Sequence, residues 1–277
     1  MELAVPDIPD SITDPQRRAD FALQHFWDEA DFTDSRWAVD SATVEQNFSN
    51  FAYLIPYGTE EAAKSAVATL LKKAAANKSA FNLMLYTADK YLFDPNSPML
   101  NEKTYSYFLT SLITMPQVSS TKKELYKYQL EAIRLNAPGT TANDFDFEDR
   151  KEKKMSLLAM PHTKYTVLGF YDPDCDHCKE IIAAMRDSDI LNKAIKNHEV
   201  QIAMIYSGDN RALWDETKDS MPLDWTIGYD LTGVEDSDLY INRASPTLYL
   251  LDKDFKVLAK DIPVQALLSG LDPDSEE

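Results

Sequence analysis

The spacing of apolar residues changes character near residue 136, and a chain with that change folds as two units of different kind. Upstream, apolar side chains recur at three- and four-residue intervals, the period of a helix face. Asp14-Pro15 reads as an N-cap followed by proline at the first helical position, ahead of a stripe through Ala22, Phe26 and Ala30. Val44, Phe48, Phe51, Ala52 and Ile55 mark a second stripe that stops at Pro56. A third runs from near Thr59 to Asn77, with Glu60 and Glu61 in its first turn and Lys72 and Lys73 toward its last, the order the helix dipole favours. Further helices are predicted over Phe81–Leu92, Glu102–Thr114 and Thr121–Leu135. No internal repeat is present, so a helical domain over 11–135 is expected rather than a solenoid, behind an extended tail over 1–10. Trp27, Trp37, Tyr53, Tyr86, Tyr105 and Tyr107 read as core and surface aromatics of this domain rather than as a ligand cage.

The run Asn136-Ala137-Pro138-Gly139-Thr140-Thr141 consists of turn formers, and beyond it strands alternate with helices. Tyr165–Tyr171 and Val200–Tyr206 are short apolar, β-branched and aromatic runs suited to buried strands. Trp225–Tyr229, Thr247–Leu251 and Lys256–Ala259 complete the predicted strands, with helices at Lys179–Ser188, Arg211–Ser220 and Pro263–Leu271. The fold class expected is α+β or α/β with two domains: an all-helical N-terminal domain, then an α/β sandwich with a central mixed sheet over 136–277.

Charge narrows the function classes. Lys and Arg number 28 against 46 Asp and Glu, a net charge of -18. Nucleic acid and anionic lipid need basic surface, so neither is the expected partner. No apolar run approaches the roughly 18 residues of a membrane span. The start, MELAVPDIPD, has no basic or apolar leader segment, which leaves either a cytoplasmic protein or a mature form whose leader was removed.

The chain has two cysteines, and both stand in Asp172-Pro173-Asp174-Cys175-Asp176-His177-Cys178, where the first buried strand hands over to a helix. Cys175 is thus expected at a helix N-terminus, where free N–H groups and the dipole favour thiolate over thiol. Cys178, one turn on, is expected within disulfide reach, able to resolve a mixed disulfide formed at Cys175. Asp174 and Asp176 work against the thiolate and a protonated His177 works for it. A structural disulfide would close too small a loop to stabilise much. Zinc lacks a second ligand cluster, haem attachment fails because Lys179 stands where histidine is needed, and no metal or cofactor is expected beyond a redox-active Cys175–Cys178 disulfide.

These residues carry a resemblance. The C-x-x-C after a strand, the aromatic pair Phe170-Tyr171, Ala244-Ser245-Pro246-Thr247 before a strand, and Pro138-Gly139-x-x-Ala142-x-Asp144-Phe145 together resemble the thioredoxin superfamily, most closely its TlpA/ResA-like envelope thiol-disulfide oxidoreductases. The resemblance covers roughly 136–270. The helical half is similar to uncharacterised N-terminal domains fused to such modules. The resemblance implies catalysis by Cys175 and Cys178, supported by Tyr171, Asp174, Asp176, His177, Ser245 and Pro246. It makes Pro246 a cis proline facing the sulfurs, with the Ser245 backbone pairing to a bound client. It makes Pro138–Phe145 an opening hairpin. It implies disulfide-containing client proteins, a membrane or periplasmic electron donor, and a place in the periplasm or cell envelope, with the cytoplasm as the alternative. Two departures stand out. Gly169 occupies the position where thioredoxin keeps a buried aspartate, and Asp172 stands where a peroxidatic relative has Thr or Ser. The competing expectation is a binding protein whose helical domain recognises a partner, with a redox-silent second half as scaffold.

Overall fold

The computed structural model describes residues 3–271. Residues 1–2 of the expected tail and 272–277 of the second domain lie outside them. Contacts divide the chain into two compact units, meeting between Ile133 and Arg134.

In the first unit the helices are α1 Pro15–His25, α2 Ser41–Leu54, α3 Glu60–Ala74, α4 Lys78–Leu92, α5 Glu102–Thr114 and α6 Ser120–Arg134. All six begin on a side-chain cap that satisfies an otherwise orphaned N–H. Asp14, Asp40, Thr59, Asn77, Asn101 and Ser119 accept from Arg17, Thr43, Ala62, Ala80, Thr104 and Lys122 respectively. The apolar stripes converge on one core that holds Phe26, Trp27, Phe48, Phe51, Leu70 and Phe108. Trp27 is fully buried and meets Phe51 edge-on at a ring separation of 5.3 Å. Trp37, Tyr105 and Tyr107 are buried too, whereas Tyr53 and Tyr86 are exposed. A 3-10 turn over Ser35–Ala38, unforeseen in the sequence, carries Trp37 into this core.

The second unit holds a seven-stranded mixed sheet in the order β2-β1-β5-β4-β3-β6-β7. The strands are β1 Asp146–Asp149, β2 Lys154–Ser156, β3 Tyr165–Tyr171, β4 Val200–Tyr206, β5 Thr226–Asp230, β6 Thr247–Asp252 and β7 Val257–Ala259. The helices are α7 Asp176–Arg186, α8 Asp189–Lys196, α9 Arg211–Thr217 and α10 Val264–Gly270. Alternation along β3 sends Val167 and Tyr171 to the core under α7, α8, α9 and α10, and Leu168 and Phe170 to the opposite core.

The pairing of β3 positions the site. β3 runs parallel to β4, with Tyr171 beside Tyr206. It runs antiparallel to β6, with Phe170 beside Thr247. The end of β3 and the start of β6 therefore share one edge of the sheet, so the Cys175 loop and the Ser245-Pro246 loop meet.

The β1–β2 hairpin and α8 were not foreseen. The expected opening hairpin at Pro138–Phe145 is corrected: that segment lies along β7, with Gly139 N–H donating to the Val257 carbonyl at 2.7 Å and Ala142 N–H to that of Phe255 at 2.9 Å. The hairpin follows it, at β1 and β2. Asn136 ends the helical region in the left-handed conformation (φ 48°) that asparagine tolerates. Its side chain ties the segment down, accepting from Asn143 N–H and donating to the Leu239 carbonyl, both at 2.8 Å.

Candidate active site

Beyond Tyr171 the chain leaves the sheet through a tight turn. The Asp172 carbonyl accepts from Cys175 N–H at 3.2 Å, and its carboxylate accepts from Asp174 N–H at 2.8 Å. Asp172 thus shapes the loop that delivers Cys175 to the N-cap of α7. There the Cys175 sulfur accepts the Cys178 backbone N–H at 3.3 Å, the bond a serine or aspartate cap would make. Cys175 is partly exposed and Cys178 fully buried; both are free thiols.

Ser245 touches both sulfurs. Its carbonyl accepts from Cys175 Sγ at 3.6 Å, and its hydroxyl oxygen lies 3.1 Å from Cys178 Sγ. The Ser245-Pro246 peptide bond is cis. Burial pushes the Cys178 thiol up to about 11; the Asp172 backbone N–H and the Ser245 hydroxyl pull the other way, and the Cys175 side chain adds to the rise. At neutral pH Cys178 therefore holds its proton in the resting protein.

The other residues singled out by sequence fall apart into two groups. Tyr171 is at the site, buried, with a hydroxyl that has no hydrogen-bond partner among the described residues. Burial raises that hydroxyl above the usual phenol range. His177 is not a partner of either sulfur: it is exposed and turns to Glu180, 3.7 Å away. Asp176 is also exposed and pairs with Lys179 at 3.0 Å. Asp174 is exposed and takes part through its backbone N–H in the Asp172 turn. The helix turns Asp176 and His177 outward because both lie off the stripe that packs on the sheet, and Asp174 precedes the helix.

At position 169 the missing carboxylate has a steric counterpart. A Cβ on Gly169 would meet Met204 Cε at 2.8 Å and Leu248 Cδ2 at 3.0 Å, so apolar side chains from β4 and β6 occupy the place. Beside Ser245 opens a cavity of about 400 Å³, lined among others by Tyr171, Asp172, Tyr206, Glu235 and Arg243. Within it Glu235 accepts from Ser207 Oγ at 2.5 Å and from Asn242 at 2.9 Å. Sequence reading missed Tyr206 and Glu235. Tyr206 has a signal, since ligands gather at the carboxyl ends of parallel strands and Val200–Tyr206 reads as a strand. Glu235 has none, because a loop residue reaches the site only through tertiary folding. Among the described residues no three His, Cys, Asp or Glu side chains gather as a metal site, and no helix is long and apolar enough to cross a membrane.

Residues 138–260 match the profile of the AhpC/TSA family, and residues 2–136 match a domain of unknown function, DUF5106. Over 98% of both chains, the protein is similar to a thioredoxin-like protein from Bacteroides caccae, at 29% identity and a TM-score of 0.88. The C-terminal domain of an uncharacterized protein from Bacteroides fragilis is 33% identical over 49% of this chain and 97% of its own, with a TM-score of 0.47. A thiol-disulfide oxidoreductase from Bacteroides fragilis is 27% identical over 48% of this chain and 97% of its own, with a TM-score of 0.42. No match is found among curated proteins.

Proposed function

With its residues 138–260 this chain belongs to the AhpC/TSA family of thioredoxin-like proteins, and from that premise we propose that it is an enzyme that reduces or exchanges disulfides in client proteins through Cys175 and Cys178. One observation carries the reading: a partly exposed sulfur caps a helix, and a second, buried one stands a turn below with its N–H on the first.

The chemistry needs no cofactor. Cys175, as thiolate, attacks one sulfur of a client disulfide; a bond forms to that sulfur and the client's second sulfur leaves with the electron pair. Cys178 then attacks Cys175, their disulfide forms, and the remaining client sulfur leaves reduced. The two electrons given to the client come from the cysteine pair, which an external dithiol must restore. The helix N-terminus and the Cys178 N–H support charge on Cys175. Burial keeps Cys178 protonated until the mixed disulfide brings it into play. The Ser245 carbonyl, already at the Cys175 sulfur, is the group against which a client backbone would align.

Compartment and partners follow from this reading. Disulfide clients persist in the periplasm and cell envelope, where a membrane or periplasmic dithiol protein would recharge the pair. The surplus of acids fits protein clients and not nucleic acid.

The test is dithiothreitol-driven insulin reduction. Cys175→Ser is expected to abolish it, and Cys178→Ser to accumulate mixed disulfides visible on non-reducing gels. Full insulin reduction by Cys175→Ser would end the proposal.

A further inference from the structure

On the basis of the redox reading above, we propose that the Ser245 hydroxyl is the group that takes the proton from Cys178 in the resolving step. Cys178 must shed a proton to attack Cys175, and few groups are within reach. The Asp172 backbone N–H faces the sulfur but can only donate. Position 169 has no carboxylate and no room for one beside Met204 and Leu248. Tyr171 is buried at the site, but its hydroxyl makes no hydrogen bond among the described residues and so is not in contact with the Cys178 sulfur. His177 turns to Glu180, and Asp176 to Lys179. Ser245 Oγ, at 3.1 Å, is both close and chemically able, since a hydroxyl accepts through its lone pairs while donating its own hydrogen elsewhere.

Elsewhere is available. Ser245 lines the open cavity of about 400 Å³ beside it, so a hydrogen leaving its hydroxyl has a way out from the buried sulfur. The same residue holds Cys175 through its carbonyl. The step then balances within the complex. The Cys178 proton passes to Ser245 Oγ, and the serine's own hydrogen passes to the client thiolate or, where the leaving sulfur stays ionised, to water in the cavity. The Cys178 sulfur bonds to Cys175, the Cys175–client bond breaks, and the client sulfur keeps that electron pair. Serine ends as it began, and no outside base, oxidant or reductant enters.

The experiment separates the two sulfur steps in one trace. The full-length reduced protein is mixed with the aromatic disulfide DTNB. Attack by Cys175 releases the first thionitrobenzoate anion, and attack by Cys178 releases the second. Ser245→Ala is expected to slow the second phase relative to the first by about a hundredfold, the low end of what a positioned proton acceptor contributes. Ser245→Thr keeps the hydroxyl and Ser245→Val keeps only its shape. The second phase should be fast in the threonine variant and slow in the valine variant. Equal second phases in Thr and Val variants would overturn the proposal, because shape and not the hydroxyl would then set the rate. Wild-type protein that releases only one anion per chain would overturn the redox reading itself, and this inference with it.

Discussion

Replacing Cys175 with serine leaves Cys178 as the sole cysteine, and its reactivity then reports the environment directly. Burial is the main cause of its raised pKa and stays in the variant, because the apolar cluster that holds it is unchanged; the smaller rise that Cys175 adds is lost, so about 11 is the upper bound there. At about pH 8 a thiol of pKa about 11 is roughly 0.1% ionised, whereas a free cysteine near 8.5 is roughly one quarter ionised. That is a deficit of about 240-fold in thiolate. Higher basicity returns part of it: with a Brønsted slope of about 0.4–0.5, a rise of about 2.5 pK units makes each thiolate roughly 13-fold more nucleophilic. On ionisation alone the native variant should therefore react with a small disulfide probe up to about twentyfold more slowly than the same chain in denaturant. Limited access to a fully buried sulfur slows it further. The slope carries the second half of the prediction. Below its pKa a thiol gains about tenfold in thiolate per pH unit, so the native rate should climb steadily to about pH 10 while the denatured rate levels off near 8.5. A native rate that levels off between about pH 8 and 9 would refute the argument that burial governs Cys178.

Two further predictions concern stability. Gly169→Ala puts a methyl against Met204 and Leu248 in the middle of β3; overpacking of this kind costs about 1–3 kcal/mol, read as a lower urea midpoint, and an unchanged midpoint would show that Met204 moves aside freely. Trp27→Ala empties the centre of the helical core and should cost that unit about 3–5 kcal/mol by circular dichroism in denaturant, whereas a loss below about 1 kcal/mol would mean the core refills the space.

How much of this was legible in the sequence follows from the range of the forces involved. Caps and periodicity act within a few residues. Asp14 and Thr59 thus marked their helices, Glu102–Thr114 emerged with the bounds expected, and β3 and β4 match their apolar runs to the residue. The hairpin β1–β2 was hidden because Asp146–Asp149 and Lys154–Ser156 are charged and short, with no apolar alternation; pairing with β5 makes β1 a strand, and pairing with β1 makes β2 one. The helix α8 has its serine cap at Ser188, but it follows α7 so closely that the two apolar patterns merge.

At the site, chain order alone determined that two sulfurs one helical turn apart would follow a buried strand, since the spacing and the strand-to-helix change are both local. Which side chains join them was a matter of three dimensions. Antiparallel pairing of β6 with β3 carries Ser245 across a separation of 67 residues to Cys178, while His177, the sulfur's sequence neighbour, turns away with the helix. A helix fixes direction by its period of 3.6 residues, so adjacency in the chain sends neighbours to different faces, and only the folded sheet decides what meets the buried thiol.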